Sequence, residues 1–273
     1  MSAAASDAPI GVFDSGLGGL TVVRELMRQL PSERLIYVGD TARVPYGPKS
    51  PETICRYSRE IAEYLLRERV KALVVACNTA TAVALPALRV ACPVPVIGVV
   101  DPGARSAAAA SRGRGIGVIG TAGTIASGAY ERAIRTLAPA TRVIAQACPL
   151  FVPLVEEGWL DGDVARLVAR HYLEPLAASG IDTLVLGCTH YPLLAPVIGD
   201  VMGDGVRLID SAAAAADATR TLLEREGLRR ESLTGAPPPT HRFLATDAPE
   251  RFLAGARRFL DAAVERVEVL PLG

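Results

Sequence analysis

The chain nearly repeats itself after about 105 to 110 residues, and this echo constrains its fold more than any other feature. Leu73-Val-Val-Ala-Cys-Asn-Thr returns as Leu184-Val-Leu-Gly-Cys-Thr-His, and Ile10-Gly-Val-Phe-Asp-Ser-Gly returns as Ile116-Gly-Val-Ile-Gly-Thr-Ala. Junctions like the latter pair resemble one another wherever a strand runs into a turn. The former pair is more telling, because a cysteine closes an apolar strand and a polar Asn-Thr or Thr-His follows at once, twice and at matching places. Two similar halves are predicted, each with a strand that ends in a thiol.

Short β-branched and apolar runs alternate with longer segments of helical period, the pattern of parallel sheets with crossover helices, so the fold class is α/β. Strands are predicted at Ile10–Phe13, Leu35–Val38, Ala72–Ala76, Val96–Val99, Gly115–Ile119, Arg142–Gln146, Thr183–Leu186 and Arg207–Ile209. Between Glu52 and Glu68, Ile54, Tyr57, Ile61, Tyr64 and Leu65 fall on one helical stripe, which assigns Cys55 to packing. Gly235-Ala-Pro-Pro-Pro-Thr is a stiff linker that no helix continues through. The strand, helix (Pro249–Leu260) and terminal strand (Arg266–Leu270) beyond it are too few for a core of their own and are expected to return to the first half. The organisation is therefore a disordered 1–8, a first α/β domain over 9–98 completed by 211–273, and a second over 99–210.

Half of the 273 residues are hydrophobic, 21% are charged and the formal net charge is zero, so a nucleic-acid footprint or an anionic-membrane patch has no support. A small molecule is the expected partner. No apolar run reaches the roughly 18 residues that span a bilayer, and the Ser/Ala-rich start lacks a charged segment followed by an apolar one, so a soluble cytoplasmic protein is expected. Five cysteines at wide spacing fit neither a disulfide framework nor a CxxC zinc site, and His171, His190 and His241 are too scattered to supply a metal site. Free thiols and no metal are expected.

In a parallel α/β sheet, ligands sit outside the carboxyl ends of the strands. Four such junctions carry small or polar residues. Asp14-Ser15-Gly16-Leu17-Gly18-Gly19 lets backbone N–H groups approach an anion, but it lacks the G-x-G-x-x-G spacing and its leading acid would oppose a pyrophosphate. Asp40 closes the second strand, and Pro45-Tyr46-Gly47-Pro48 stiffens the loop after it. Asn78 and Thr79 follow Cys77, and Thr189 and His190 follow Cys188, donors suited to holding carboxylates. Cys77 and Cys188 lie at helix N-termini, a setting that lowers thiol pKa, whereas Cys55, Cys92 and Cys148 read as small buried hydrophobes. His190 alone reads equally as structural, and Glu156-Glu157 before Gly158 equally as a solvated acidic face.

Taken together, Asp14-Ser15-Gly16, Pro45-Tyr46-Gly47, Ala76-Cys77-Asn78-Thr79-Ala80 and Gly187-Cys188-Thr189-His190-Tyr191-Pro192 resemble, in order and spacing, the glutamate racemase family. The resemblance extends from about Pro9 to the terminal strand through Thr121-Ala-Gly-Thr124-Ile-Ala-Ser127-Gly-Ala-Tyr130 and Cys148-Pro-Leu-Phe-Val-Pro-Leu-Val-Glu156. It implies a pseudo-symmetric pair of domains closing over free glutamate, interconverted between L and D forms for peptidoglycan. It implies that Asp14, Ser15, Tyr46, Gly47, Asn78, Thr79, Thr121, Thr189 and His190 bind the substrate. By the same resemblance, Cys77 handles the proton of the D enantiomer, assisted by Asp14, and Cys188 that of the L enantiomer, assisted by His190 and Glu156. A homodimer is the expected assembly. Asp101 departs from the pattern, since many members carry glutamate there.

Inverting an α-carbon needs a base on one face and an acid on the other, and two cysteines supply both. Full ionisation of a free thiol gains only about 1.5 pK units, roughly 2 kcal/mol. An α-proton is weaker by far more, so most of the barrier must be removed by donors preorganised in a dry site. Pyridoxal phosphate could do the same chemistry through a lysine, but Lys49 and Lys71 do not sit at a strand's carboxyl end, and no cofactor is expected. The rival readings are a racemase of aspartate, a one-thiol isomerase or decarboxylase of the same fold, and a two-lobed solute-binding protein, which needs no pair of thiols.

Overall fold

The computed structural model describes residues 6–231, 238–260 and 264–272. Among them run the strands β1 (Ile10–Asp14), β2 (Leu35–Gly39), β3 (Ala72–Val75), β4 (Val96–Gly98), β5 (Ile116–Gly120), β6 (Val143–Ala147), β7 (Thr183–Gly187), β8 (Arg207–Asp210), β9 (Arg242–Ala245) and β10 (Glu268–Val269). They form a six-stranded sheet in the order β10-β9-β2-β1-β3-β4 and a four-stranded one in the order β6-β5-β7-β8. All these pairings are parallel. β1, β2, β5 and β7 are buried at every residue, as strands covered by helices on both faces must be.

The echo in the sequence is visible as topology. The first four strands of each half stand in the same order, second, first, third, fourth, so β1 corresponds to β5 and β3 to β7. Register then fixes the chemistry. Phe13 pairs with Val75 and Gly120 with Gly187, so Asp14 and Cys77 leave one sheet at the same end, and Thr121 and Cys188 leave the other in the same way.

Some helices begin where a short polar side chain caps them. Ser50 Oγ accepts the Thr53 N–H at 3.3 Å before the helix Pro51–Arg67, whose stripe of Ile54, Ile61 and Leu65 is buried. After β8, Asp210 accepts the Ala212 N–H at 2.8 Å and starts the helix Ser211–Arg225, which packs against both the helix Leu20–Gln29 and the helix Val100–Ala110. The chain then returns to the first sheet, where β9 pairs with β2 and β10 with β9. The C-terminal helix spans Pro249–Phe259, and the terminal strand is cut to Glu268–Val269 at the sheet edge. Of the Gly235-Ala-Pro-Pro-Pro-Thr linker, Gly235, Ala236 and Pro237 lie outside the described residues, whereas Pro238, Pro239 and Thr240 lie within them. Of the segment 1–8, residues 1–5 also lie outside; the Ser6 carbonyl accepts from the Lys71 ammonium at 2.6 Å and the Asp7 carboxylate pairs with Arg230 at 2.9 Å.

One buried ion pair holds this return in place. Lys71 and Glu33 have side chains 2% and 1% exposed, and Glu33 also accepts the Arg230 backbone N–H at 2.8 Å. Removing one member leaves a buried, uncompensated charge, which typically costs about 3 kcal/mol or more. Lys71→Met is therefore expected to lower the melting temperature by roughly 6–12 °C, read by calorimetry at neutral pH; an unchanged melting temperature would show that the pair is not what anchors the segment after Arg225.

Candidate active site

β1 ends in Asp14, whose carboxylate is 1% exposed and accepts N–H groups from Gly16 at 3.2 Å and Gly19 at 2.9 Å. Burial raises its pKa, against the opposing pull of His190 and of those N–H donors. The turn requires glycine, since a Cβ at Gly19 would lie 2.5 Å from the Asp14 Cβ. Cys77 caps the helix Asn78–Ala91, its sulfur accepting the Ala80 N–H at 3.4 Å and reaching Ser15 Oγ at 3.7 Å. The helix N-terminus does not lower this thiol, contrary to the sequence expectation. Burial, reinforced by the Asp14 charge, pushes Cys77 up to about 12 and outweighs the donated N–H.

Cys188 follows β7. His190 Nδ1 lies 3.8 Å from its sulfur, and His190 Nε2 lies 3.2 Å from Glu156 Oε1. Burial alone would pull His190 down, but its hydrogen bonds to the Cys188 sulfur and to Glu156 push it up to about 10. The reciprocal bond to His190 lowers Glu156. The C-terminal helix reaches across to this pair: the Phe259 ring meets His190 edge-on at 5.5 Å, and the Arg258 guanidinium donates to the Glu156 backbone carbonyl.

The two strand-end surfaces face and touch each other. Thr79 Oγ1 lies 2.8 Å from Thr121 Oγ1 and 3.2 Å from Thr124 Oγ1, and Thr21 Oγ1 donates to the Thr189 carbonyl at 3.1 Å. A Cβ at Gly18 would lie 2.4 Å from both His190 Nδ1 and Thr189 Oγ1, and one at Gly47 3.1 Å from the Thr121 Cβ. Asn78 accepts from the Tyr130 hydroxyl at 2.6 Å, while its Nδ2 is buried with no hydrogen-bond partner, a donor awaiting an acceptor. A cavity of about 510 Å³ opens beside this junction, its lining including Gly16, Leu17, Val44, Glu156, Arg251 and Arg258.

The structure thus brings Asp14, Ser15, Cys77, Asn78 and Thr79 together with Thr121, Thr189, His190 and, through His190, Cys188 and Glu156. Tyr46 stands apart in kind. Its hydroxyl is taken by Asp40, which also accepts from Thr246 Oγ1 at 2.9 Å and Arg43 Nε at 2.8 Å, so the loop offers backbone at Tyr46 and Gly47. Asp101 forms a half-exposed ion pair with Arg89 at 3.3 Å. All five cysteines are unpaired, and among the described residues no cluster of His, Cys, Asp and Glu could hold a metal ion. Sequence reasoning missed Gly18, Thr124, Arg258 and Phe259; only Gly18 and Thr124, inside quoted motifs, carried a local signal.

A family model described as Asp/Glu/hydantoin racemase matches residues 10–219. The glutamate racemase of Syntrophus aciditrophicus (strain SB) is 56% identical over 264 residues, 97% of each chain. Among solved structures, the glutamate racemase isoform RacE1 from Bacillus anthracis superposes with a TM-score of 0.93 at 42% identity, covering 98% of this chain and 100% of that one. The glutamate racemase from Francisella tularensis in complex with D-glutamate superposes with a TM-score of 0.90 at 38% identity, covering 97% and 98%.

The raised His190 pKa has a consequence for stability. A group whose folded pKa exceeds its unfolded value stabilises fully below the unfolded one, 6.5, and loses that contribution as pH rises toward the folded one, about 10. The melting temperature is expected to fall between pH 6.5 and about 9, below the range in which Cys77 titrates, and His190→Asn should flatten that slope. Equal slopes in parent and variant, by calorimetry at stepped pH, would refute the assignment.

Proposed function

The chain belongs to the Asp/Glu/hydantoin racemase family and is an isomerase that racemises glutamate, and we propose that it does so by passing the α-proton between two thiols, Cys77 and Cys188, without a cofactor. The observation that carries this reading is the placement of the two cysteines after corresponding strands, β3 and β7, in sheets of the same strand order whose carboxyl ends meet.

From L-glutamate, the Cys188 sulfur takes the α-proton and the Cys77 thiol gives its own to the opposite face; from D-glutamate the roles reverse. His190, charged and steadied by Glu156, gives the Cys188 sulfur a cationic hydrogen-bond donor. Cys77, pushed up to about 12 and set beside Asp14, stays protonated in the empty site, so it holds the proton to be delivered but must be ionised before it can act as a base. The substrate's ammonium supplies the positive charge that eases its ionisation. Ser15, Asn78, Thr79, Thr121 and Thr189, with backbone at Tyr46 and Gly47, hold the carboxylates, and their fixed dipoles stabilise the carbanion as charge develops. We carry the units 9–98 with 211–273 and 99–210 as the two lobes, a homodimer as the assembly, the cytoplasm as the location, and D-glutamate for peptidoglycan as the purpose. The two lobes follow from the echoed strands and the cytoplasm from the composition, while the homodimer and the peptidoglycan role rest on the family resemblance. No helix among the described residues is long and apolar enough to cross a membrane.

Polarimetry of L-glutamate with reduced protein and no added cofactor should show loss of rotation; a flat trace would sink the cofactor-free mechanism. In deuterated water, early D-glutamate should carry solvent deuterium at its α-carbon while remaining L-glutamate stays protiated, because two separate sulfurs remove and deliver. Substantial return of the original proton to first-turnover product, measured by mass spectrometry, would indicate a single base. Cys77→Ser and Cys188→Ser should each abolish racemisation.

His190→Asn should slow the Cys188 step selectively. Since the equilibrium constant is unity, kcat/KM must fall equally in both directions, and the asymmetry belongs in isotope effects. The primary effect with α-deuterated L-glutamate should rise and that with α-deuterated D-glutamate should fall. Equal changes would detach His190 from Cys188.

A further inference from the structure

The Asn78 carboxamide has its oxygen engaged and its nitrogen free. Tyr130, on the helix Ala129–Leu137 of the second half, donates its hydroxyl hydrogen to Asn78 Oδ1 at 2.6 Å, and Asn78 Nδ2 is buried without a partner. Asn78 is 2% exposed and so is Tyr130, with glycines clearing the space around the phenol. A Cβ at Gly103 would lie 3.1 Å from its oxygen, and one at Gly187 3.1 Å from its ring. Ser211, at the start of the helix that carries the chain back to the first half, lies beside the same phenol with Gly103 and donates its hydroxyl to the Leu186 carbonyl at 3.4 Å.

A carboxamide is nearly symmetric in shape, and its two ends are opposite in hydrogen-bonding sense. Turned one way, Asn78 offers two N–H donors to an anion; turned the other, it offers a carbonyl oxygen that repels one. Nothing on its own helix decides between them. We propose that Tyr130 is a positioning residue that fixes this orientation from the opposite half, so that Asn78 presents N–H to a substrate carboxylate only while the two strand-end surfaces are apposed. The inference rests on the glutamate reading of the site and adds to it a link between closure and recognition. In a separated pair of halves the phenol leaves, the carboxamide is free to turn, and affinity for the dicarboxylate drops.

Tyr130→Phe removes one hydroxyl and little volume. It should raise KM for both enantiomers by about three- to ten-fold, the scale of one lost hydrogen bond, with a smaller change in kcat. A wild-type KM would overturn the proposal while leaving racemisation intact; absence of racemisation in the parent protein would instead defeat the underlying reading. In an Asn78→Ala background, Tyr130→Phe should have no further effect on KM, because its target is gone, whereas a merely structural role would add its own loss in full. Ser211→Ala leaves the phenol's hydrogen in place and should hold KM within about twofold, since a loss equal to that of Tyr130→Phe would assign the effect to packing at the junction. A reading independent of any substitution comes from the parent protein, in which the side-chain NH2 resonances of Asn78 should shift on saturation with D-glutamate. Resonances that stay put would overturn the assignment.

Discussion

Everything at this site depends on the meeting of the two strand-end surfaces, where Thr79 touches Thr121 and Thr124, Thr21 donates to the Thr189 carbonyl and Tyr130 donates to Asn78. That meeting places the carboxyl ends of β1 and β3 against those of β5 and β7 and brings Cys77 and Cys188 into one site. The contact is made by neutral hydroxyls, each worth about 1 kcal/mol net. Hydroxyl-to-hydroxyl bonds join the surfaces there without an ion pair across the threonine seam.

Drying the junction has unequal effects on the two thiols. Cys77 faces a buried carboxylate, so burial and like charge both oppose its ionisation. Cys188 faces an imidazole whose far nitrogen is steadied by Glu156. The halves share a strand order, yet one sulfur is backed by a carboxylate and the other by an imidazole. A reaction that runs equally well in both directions does not require chemically equal partners, only that the two proton transfers be bridged by the same carbanion.

The strands were legible because runs such as Leu73–Val75 and Leu184–Leu186 are apolar at successive positions, which suits only a strand covered on both faces. The thiols were legible because each repeat closes on one. What sequence could not supply came from tertiary burial and from distant partners. The helix N-terminus at Cys77 is a local feature and argues for a lowered pKa, but the burial that overrides it exists only once both halves are assembled. The engagement of the Tyr46 hydroxyl depends on Asp40, and the support of His190 and Glu156 comes from Phe259 and Arg258, far along the chain. Neither of the latter belongs to a motif.

The C-terminal segment adds β9 and β10 beside β2, while β6, the counterpart of β2, remains an edge. Without that segment, β2 would be an edge strand as β6 is. The added segment covers one edge, and the helix between its strands leans over to the other half, touching His190 and the backbone of Glu156. A single appendix therefore does two jobs: it covers a sheet margin, and it makes the surroundings of left and right unlike.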